Sequence, residues 1–274
     1  MRFAKLHGAG NDFLLFDGGA EPTLREALPP LVRRLCDRRL GVGADGVLLL
    51  EPVGEEEVRL AYWNADGSEA AFCLNATRCA ARFAHLRWNW SRMVLQTGYA
   101  AIPAETRGTA ITLELPPPTA LGPWRELAAA GQLVRGRYLV LGVPHLVVAV
   151  RWPDFWDRPL APLAPALRSH AELPEGGANV TFAQVEQDEL AARSWERGVE
   201  GETLSCGSGD VAAALVAVAE EWLGSPVAVR TASKRVLTVE ADGKPPACPS
   251  RLTGPAEWVA DGVLAGEWLA DRSE

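Results

Sequence analysis

Two stretches of this chain, residues 68–86 (SEAAFCLNATRCAARFAHL) and 201–223 (GETLSCGSGDVAAALVAVAEEWL), share one design. Each has a glutamate four residues before a cysteine, Glu69 before Cys73 and Glu202 before Cys206, then a short polar or glycine turn and an alanine-rich run. A helix of small apolar residues without a polar face is buried all round. Two such helices, about half of the 274 residues apart, predict two copies of one architecture. Short apolar and β-branched runs at 47–52, 58–63, 93–98, 110–116 and 137–150, punctuated by Gly, Pro and Asn-Ala-Asp-Gly, read as strands. The expected fold class is therefore α/β of the α+β kind: two similar domains, each a sheet curled around a central helix that carries a cysteine at its N-terminal end. A further helix is expected over 28–41, with prolines near its start and Gly41 at its end. The triple proline Pro116–Pro118 is the expected domain boundary. It separates domain 1–117, carrying Cys73 and completed by segment 263–274, from domain 118–262, carrying Cys206.

Composition limits the partners. The chain is 48% hydrophobic with a net charge of −8, enough for real cores and unsuited to polyanions. Arg33, Arg34, Arg38 and Arg39 are interleaved with Leu35, Cys36 and Leu40 at helical spacing and read as a solvated helix face, so no nucleic-acid partner is expected. The opening segment is interrupted by Gly8, Gly10, Asn11 and Asp12, unlike a signal-peptide core or membrane helix. The five cysteines form an odd set without a CxxC pair. That argues against a disulfide framework and a zinc site, and for reduced thiols in the cytoplasm, with no membrane partner and no metal.

A helix N-terminus presents unpaired N–H groups and a partial positive charge. A thiol there is expected to ionise more readily than a free one. The exposed amides of Gly207, Ser208 and Gly209 are also suited to a substrate carboxylate. Two such thiols on opposite sides of one bound amino acid would exchange its α-hydrogen, one as thiolate base and one as thiol acid, giving racemisation or epimerisation. The α-hydrogen is only weakly acidic, so the site must exclude water and stabilise charge on the carboxylate side.

Each motif also has a plainer reading. Free cysteine packs as a small hydrophobe, which suits Cys36 and Cys79, and Cys248 in PPACPS reads as an exposed or half-exposed loop thiol. Cys73 and Cys206 escape it because both stand at a turn-to-helix junction behind a glutamate at the same offset. GAGNDF (8–13) and NADGSE (64–69) are good turns, with Asn11 also placed to present an amide. His145, one of four histidines, reads as a satisfied core residue, and Glu196 with Arg197 as an ordinary surface pair.

GAGNDF, NADGSEAAFC, Thr97-Gly98, GVPH, Asn179-Val180 and WERGVEGETLSCGSG occur in an order and spacing that resemble the diaminopimelate epimerases, a cofactor-independent two-cysteine family, across nearly the whole chain. The resemblance implies a pseudo-symmetric two-domain fold and interconversion of LL- and meso-2,6-diaminopimelate, a step toward lysine and cell-wall precursors. It implies Cys73 and Cys206 as the acid/base pair, assisted by His145 and Glu196. Asn11, Asn64, Asn179 and Arg197 would hold the distal amino-acid end, and the amides of Leu74, Asn75, Gly207 and Ser208 the reacting carboxylate. It also implies a homodimer, no cofactor, and a small-molecule amino acid substrate. The sequence departs from the family after the first cysteine, where Leu74 and Ala76 stand for two glycines; Ser208 stands for the usual Thr, and Val143 for an Asn found in some members.

The alternatives are a cofactor-free racemase of another amino acid, and a redox switch or non-catalytic binding protein that retains the fold. A pyridoxal phosphate enzyme is disfavoured, since Lys5, Lys234 and Lys244 lack a phosphate-cradling context.

Overall fold

The computed structural model describes residues 1–244 and 248–270 and has a mixed α+β architecture with few helices. It forms two units, Met1–Ile111 with Pro255–Glu274, and Thr112–Gly254.

The first unit runs through β1 (Arg2–Gly8), β2 (Asn11–Asp17), α1 (Leu24–Ala27), α2 (Val32–Cys36), β3 (Gly46–Gly54) and β4 (Glu57–Asn64). The helix α3 (Leu74–Trp88) follows, then β5 (Arg92–Gln96), β6 (Ala101–Arg107) and β7 (Ala110–Leu115). The second unit holds β8 (Ala120–Ala129), β9 (Gln132–Leu141), β10 (Val143–Ala149), α4 (Ala164–Arg168), β11 (Asn179–Glu186), β12 (Glu189–Glu196) and β13 (Gly201–Thr203). It continues with α5 (Gly207–Ala219), β14 (Val227–Arg230) and β15 (Val236–Ala241), and β16 (Ser250–Pro255) leads the chain back to β17 (Glu257–Val263) and α6 (Gly266–Ala270).

The strand pairings trace one pattern twice. In the first unit β1–β2 is antiparallel, β2–β3 parallel, β3–β4 antiparallel, β4–β5 parallel and β5–β6 antiparallel. In the second the same succession runs β9–β10, β10–β11, β11–β12, β12–β14, β14–β15. An extra antiparallel strand joins the head of each series, β17 on β1 and β8 on β9. A parallel pair needs a long crossover connection. In both units the second crossover contains the cysteine helix, α3 between β4 and β5, α5 between β12 and β14.

Each cysteine helix is wrapped by its own sheet. α3 touches β1 to β6 and β17, and α5 touches β9 to β12, β14 and β15. Every α5 residue from Gly207 to Ala217 is buried, as is the α3 run Leu74 to Ala81. The small side chains of these helices let strands approach on all sides. A second apolar layer covers the outer face of each sheet. In the first unit Leu14, Phe16, Val47 and Leu49 pack on Leu24, Leu28, Val32 and Leu35. In the second Leu146, Val148, Val180 and Phe182 pack on Phe155, Leu163 and Leu167. Strands buried on both faces explain apolar runs such as FLLF and VLLL, which do not alternate.

The structure differs from the sequence reading in three places. The helix expected over 28–41 is a 3₁₀ turn followed by α2, which ends at Cys36. Asp37 is extended, and its Oδ1 accepts N–H bonds from Arg39 and Leu40, both at 2.7 Å, a local turn that competes with helix. Arg38 and Arg39 therefore lie outside the helix, while Arg34 stacks 4.4 Å over the Trp268 ring. Cys248, expected to be exposed or half-exposed, is buried in the second unit. Finally, the chain crosses between units inside β7 and inside β16, upstream of Pro116–Pro118 and of the return expected at 263. Of segment 263–274, residues 271–274 lie outside the described residues. Among the described residues no helix is long and apolar enough to cross a membrane.

Candidate active site

The first unit assembles three of its expected site residues around one sulfur. Ala9 (φ 55°) and Gly10 (φ 95°) form the two-residue turn that joins β1 to β2, so Asn11 opens β2. Cys73 is the N-cap of α3, extended at φ −154°, ψ 113°. Its carbonyl accepts the first helical bond from the Thr77 N–H at 2.9 Å, and the Thr77 hydroxyl at the same distance. The Cys73 Sγ donates to Asn11 Oδ1 at 3.9 Å, and Asn75 Nδ2 donates to the same oxygen at 3.2 Å. The far side of each amide is held as well: Asn11 Nδ2 donates to Asp45 Oδ2 at 2.8 Å, and the fully buried Arg78 donates to Asn75 Oδ1 at 2.8 Å.

Asn64, the last residue of β4, is engaged within its own turn. It accepts from the Tyr62 hydroxyl at 2.8 Å and donates to Ser68 Oγ at 3.0 Å. Leu74 and Ala76 are each 1% exposed in the first turn of α3, and neither has a positive φ. The backbone here does not need the freedom of glycine, and both side chains are absorbed into the packing.

In the second unit Cys206 is the N-cap of α5, at φ −109°, ψ 94°, and the Asp210 N–H donates to its carbonyl at 2.8 Å. Its Sγ lies 3.8 Å from Ser208 Oγ. The expectation of an acidified thiol fails at this position. Burial pushes the Cys206 thiol well up, the negative charges of Glu196 and Asp210 push it further, and hydrogen bonds from the Gly209 amide and Ser208 do not compensate. A helix end favours a thiolate only while water or counter-charge remains nearby. Cys206 is 4% exposed and flanked by two carboxylates, so it holds its proton.

Glu196 closes β12 and accepts from Thr203 Oγ1 of β13 at 2.5 Å. Asn179 opens β11 directly beside His145 in the parallel register, and its Oδ1 accepts the Arg197 N–H at 2.8 Å. The Arg197 side chain is exposed. His145 is completely buried, yet among the described residues neither ring nitrogen has a hydrogen-bond partner. Burial, then the Arg197 charge, lowers its pKa to about 3, so the imidazole is neutral. This overturns the reading of a satisfied core histidine. A buried ring with both nitrogens unpaired costs about 1–3 kcal/mol per group and calls for an explanation.

The paired glutamates that marked the two motifs have unlike fates. Glu202 forms a two-pronged ion pair with the buried Arg193, both contacts at 2.7 Å, and ties β13 to β12. Glu69 is exposed and bridges to Trp63. Sequence reasoning missed Asp45, Arg78 and Asp210. Arg78 and Asp210 carried a signal, each being a lone charge within the first turns of an otherwise small, apolar helix. Asp45 carried none, since it reaches Asn11 only through the parallel pairing of β2 with β3.

The family model described as diaminopimelate epimerase matches residues 3–103 and 137–259, which include both cysteine helices and all twelve expected site residues. The chain belongs to the diaminopimelate epimerase family. Relatives named diaminopimelate epimerase include one from Archaeoglobus fulgidus, 37% identical over 96% of each chain. Another, from Gemmatimonas aurantiaca, is 38% identical over 97% of this chain and all of the relative. A third, from Methanopyrus kandleri, is 39% identical over 98% of this chain and 90% of its own. Solved structures share the fold at low identity. A phenazine biosynthesis protein of the PhzF family from Enterococcus faecalis superposes with a TM-score of 0.71 at 13% identity, over 95% of this chain and 97% of that one. A hydroxyproline epimerase from Agrobacterium vitis gives 0.67 at 16%, over 98% and 97%. In this chain both cysteines cap a buried helix, and Leu74 and Ala76 fill the first turn of α3.

Proposed function

We propose that this protein interconverts LL- and meso-2,6-diaminopimelate without a cofactor, one cysteine removing the α-hydrogen as thiolate and the other returning a proton to the opposite face. The observation that carries this reading is the repeated one: in both units a wrapped helix begins immediately after a cysteine, so thiol and helix-start amides share one end. The amides of Leu74, Asn75, Gly207 and Ser208 would take up charge as the carboxylate side becomes enolate-like. Cys206, protonated in the empty protein, enters as the acid while Cys73 acts as base, and the roles exchange in the reverse direction. The proton count balances, since each turnover moves one proton from the substrate to one thiolate and one from the other thiol to the product.

His145, neutral and without a ring partner among the described residues, is suited to receive a hydrogen bond from the bound amino acid, and Asn179 and Arg197 to hold its distal end. The Glu196 charge is assigned to keeping the Cys206 proton in place until it is needed. We further propose a cytoplasmic homodimer, a reading that rests on the family and on five cysteines of which none forms a disulfide among the described residues; a sizing column tests the subunit number.

In deuterated water the purified, reduced protein should place label at Cα of diaminopimelate. Cys73→Ala and Cys206→Ala should abolish turnover and leave the fold intact. Label in a different amino acid alone would favour a racemase of that substrate, and no exchange with any candidate would favour a binding protein.

A further inference from the structure

Three side-chain hydrogen bonds beside Cys73 run in one direction. Arg78, a buried cation, donates to Asn75 Oδ1; Asn75 Nδ2 donates to Asn11 Oδ1; Asn11 Nδ2 donates to the Asp45 carboxylate. An amide presents two donors on one side and an acceptor on the other. Each of these two amides has a charged group on one side, guanidinium at Asn75 and carboxylate at Asn11, so turning either would set oxygen against carboxylate or N–H against guanidinium.

The carboxylate end is itself fixed at both oxygens. Asp45 Oδ2 also accepts the Asp12 N–H at 3.2 Å, and Asp45 Oδ1 accepts from Arg38 at 2.7 Å. Arg38 bridges Asp45 to Asp12, which in turn pairs with Lys5 at 2.9 Å. Burial would raise the Asp12 carboxyl, but the hydrogen bonds from Arg38 and Lys5 outweigh it and hold the group at about 2. The base of this arrangement therefore stays charged throughout the neutral range.

From this we infer that Asp45 is a positioning residue: together with Arg78 it locks the Asn11 amide so that an oxygen, not an N–H, faces the Cys73 sulfur. An acceptor opposite sulfur favours the S–H form, whereas an N–H there would favour thiolate. The Asn11 oxygen thus restrains ionisation of Cys73 until substrate binds, and the reactivity of this thiol is set from the β2–β3 edge through Asn11. The inference extends the proposed role of Cys73 and rests on that role only for its meaning in turnover. The bonding itself is testable with no substrate.

The test is the pH profile of iodoacetamide alkylation at each cysteine, resolved by mass spectrometry, in the full-length reduced protein. Asp45→Asn keeps the shape but frees the Asn11 amide to turn. Cys73 alkylation at pH 7 should rise roughly tenfold, with its profile displaced toward acid and Cys206 unaffected. The rise should persist in 1 M salt, where direct charge effects fade over about 3 Å. Arg38→Met leaves the Asp45 Oδ2 contact to Asn11 in place and should keep the wild-type Cys73 profile. The inference is overturned by an unchanged profile in folded Asp45→Asn, by a rise that 1 M salt removes, by an equal rise at Cys206, or by the same rise in Arg38→Met. Loss of diaminopimelate exchange in the wild-type protein would bear on the proposed function alone.

Discussion

Gly209, in the first turn of α5, is a position where two physical effects oppose each other measurably. On helix propensity alone, Gly209→Ala should stabilise by about 1 kcal/mol. A Cβ on Gly209, however, would stand 2.5 Å from Thr181 Oγ1, 3.0 Å from Ser194 Oγ and 3.3 Å from Cys206 Cβ. Neither oxygen is free to retreat, because Thr181 and Ser194 are buried and bonded to each other at 2.8 Å across β11 and β12. Overpacking of this kind costs about 1–3 kcal/mol, and disturbing the Thr181–Ser194 bond about 1 kcal/mol more. The sum leaves a net loss of about 1–3 kcal/mol, which corresponds to a fall in Tm of about 2–12 °C. Thermal unfolding followed by circular dichroism reads this directly. Thr181→Ala removes the closest oxygen, so Gly209→Ala should cost less than half as much in that background. A Tm that stays level or rises in the single variant would show that the helix start can move away from the sheet, and would refute the account of why position 209 is glycine.

His145 makes stability depend on pH with a definite sign. Its folded pKa lies near 3 while the unfolded imidazole titrates near 6.5, so between these values only the unfolded chain takes up the proton and stability falls as pH falls. His145→Gln should therefore flatten the stability profile between pH 6.5 and 4 by up to about 1.4 kcal/mol per pH unit, measured by urea unfolding; parallel profiles would contradict the neutral, buried assignment. Glu202→Gln leaves the buried Arg193 guanidinium without its carboxylate and should cost about 1–3 kcal/mol, discounted because Glu202 is partly exposed. A loss below about 0.5 kcal/mol would mean that the carbonyls of Phe155 and Arg158 suffice to hold the cation.

The architecture was legible because its central elements are chemically extreme. The small, apolar α5 and the small-residue first half of α3 are buried inside their sheets, and a cysteine before each fixes where the helix begins. What escaped the sequence depends on side chains that reach across it. Asp37 ends α2 through bonds to its own neighbours, which a periodic pattern of leucine and arginine conceals. The partial charge at the α5 start is a local property, whereas the burial and the carboxylates that outweigh it at Cys206 come from β12 and from Asp210. His145 lies in an apolar strand that reads as core, and only the three-dimensional surroundings reveal that no described residue bonds its ring. Asp45, Asn11, Asn75 and Arg78 become one chain of hydrogen bonds only after β2, β3 and α3 have come together.

The mechanism itself is tested most directly by where solvent hydrogen goes in the first turnovers. LL-diaminopimelate is incubated with the reduced protein in deuterated water and stopped below about a tenth of full conversion, with substrate and product separated. Two thiols working on opposite faces predict one deuterium at the inverted α-carbon of the meso product and almost none in the remaining LL substrate, because the proton removed and the proton returned never share a sulfur. Equal label in both pools, or product that retains its original hydrogen, would mean a single base, and Cys73 and Cys206 would not be the acid/base pair.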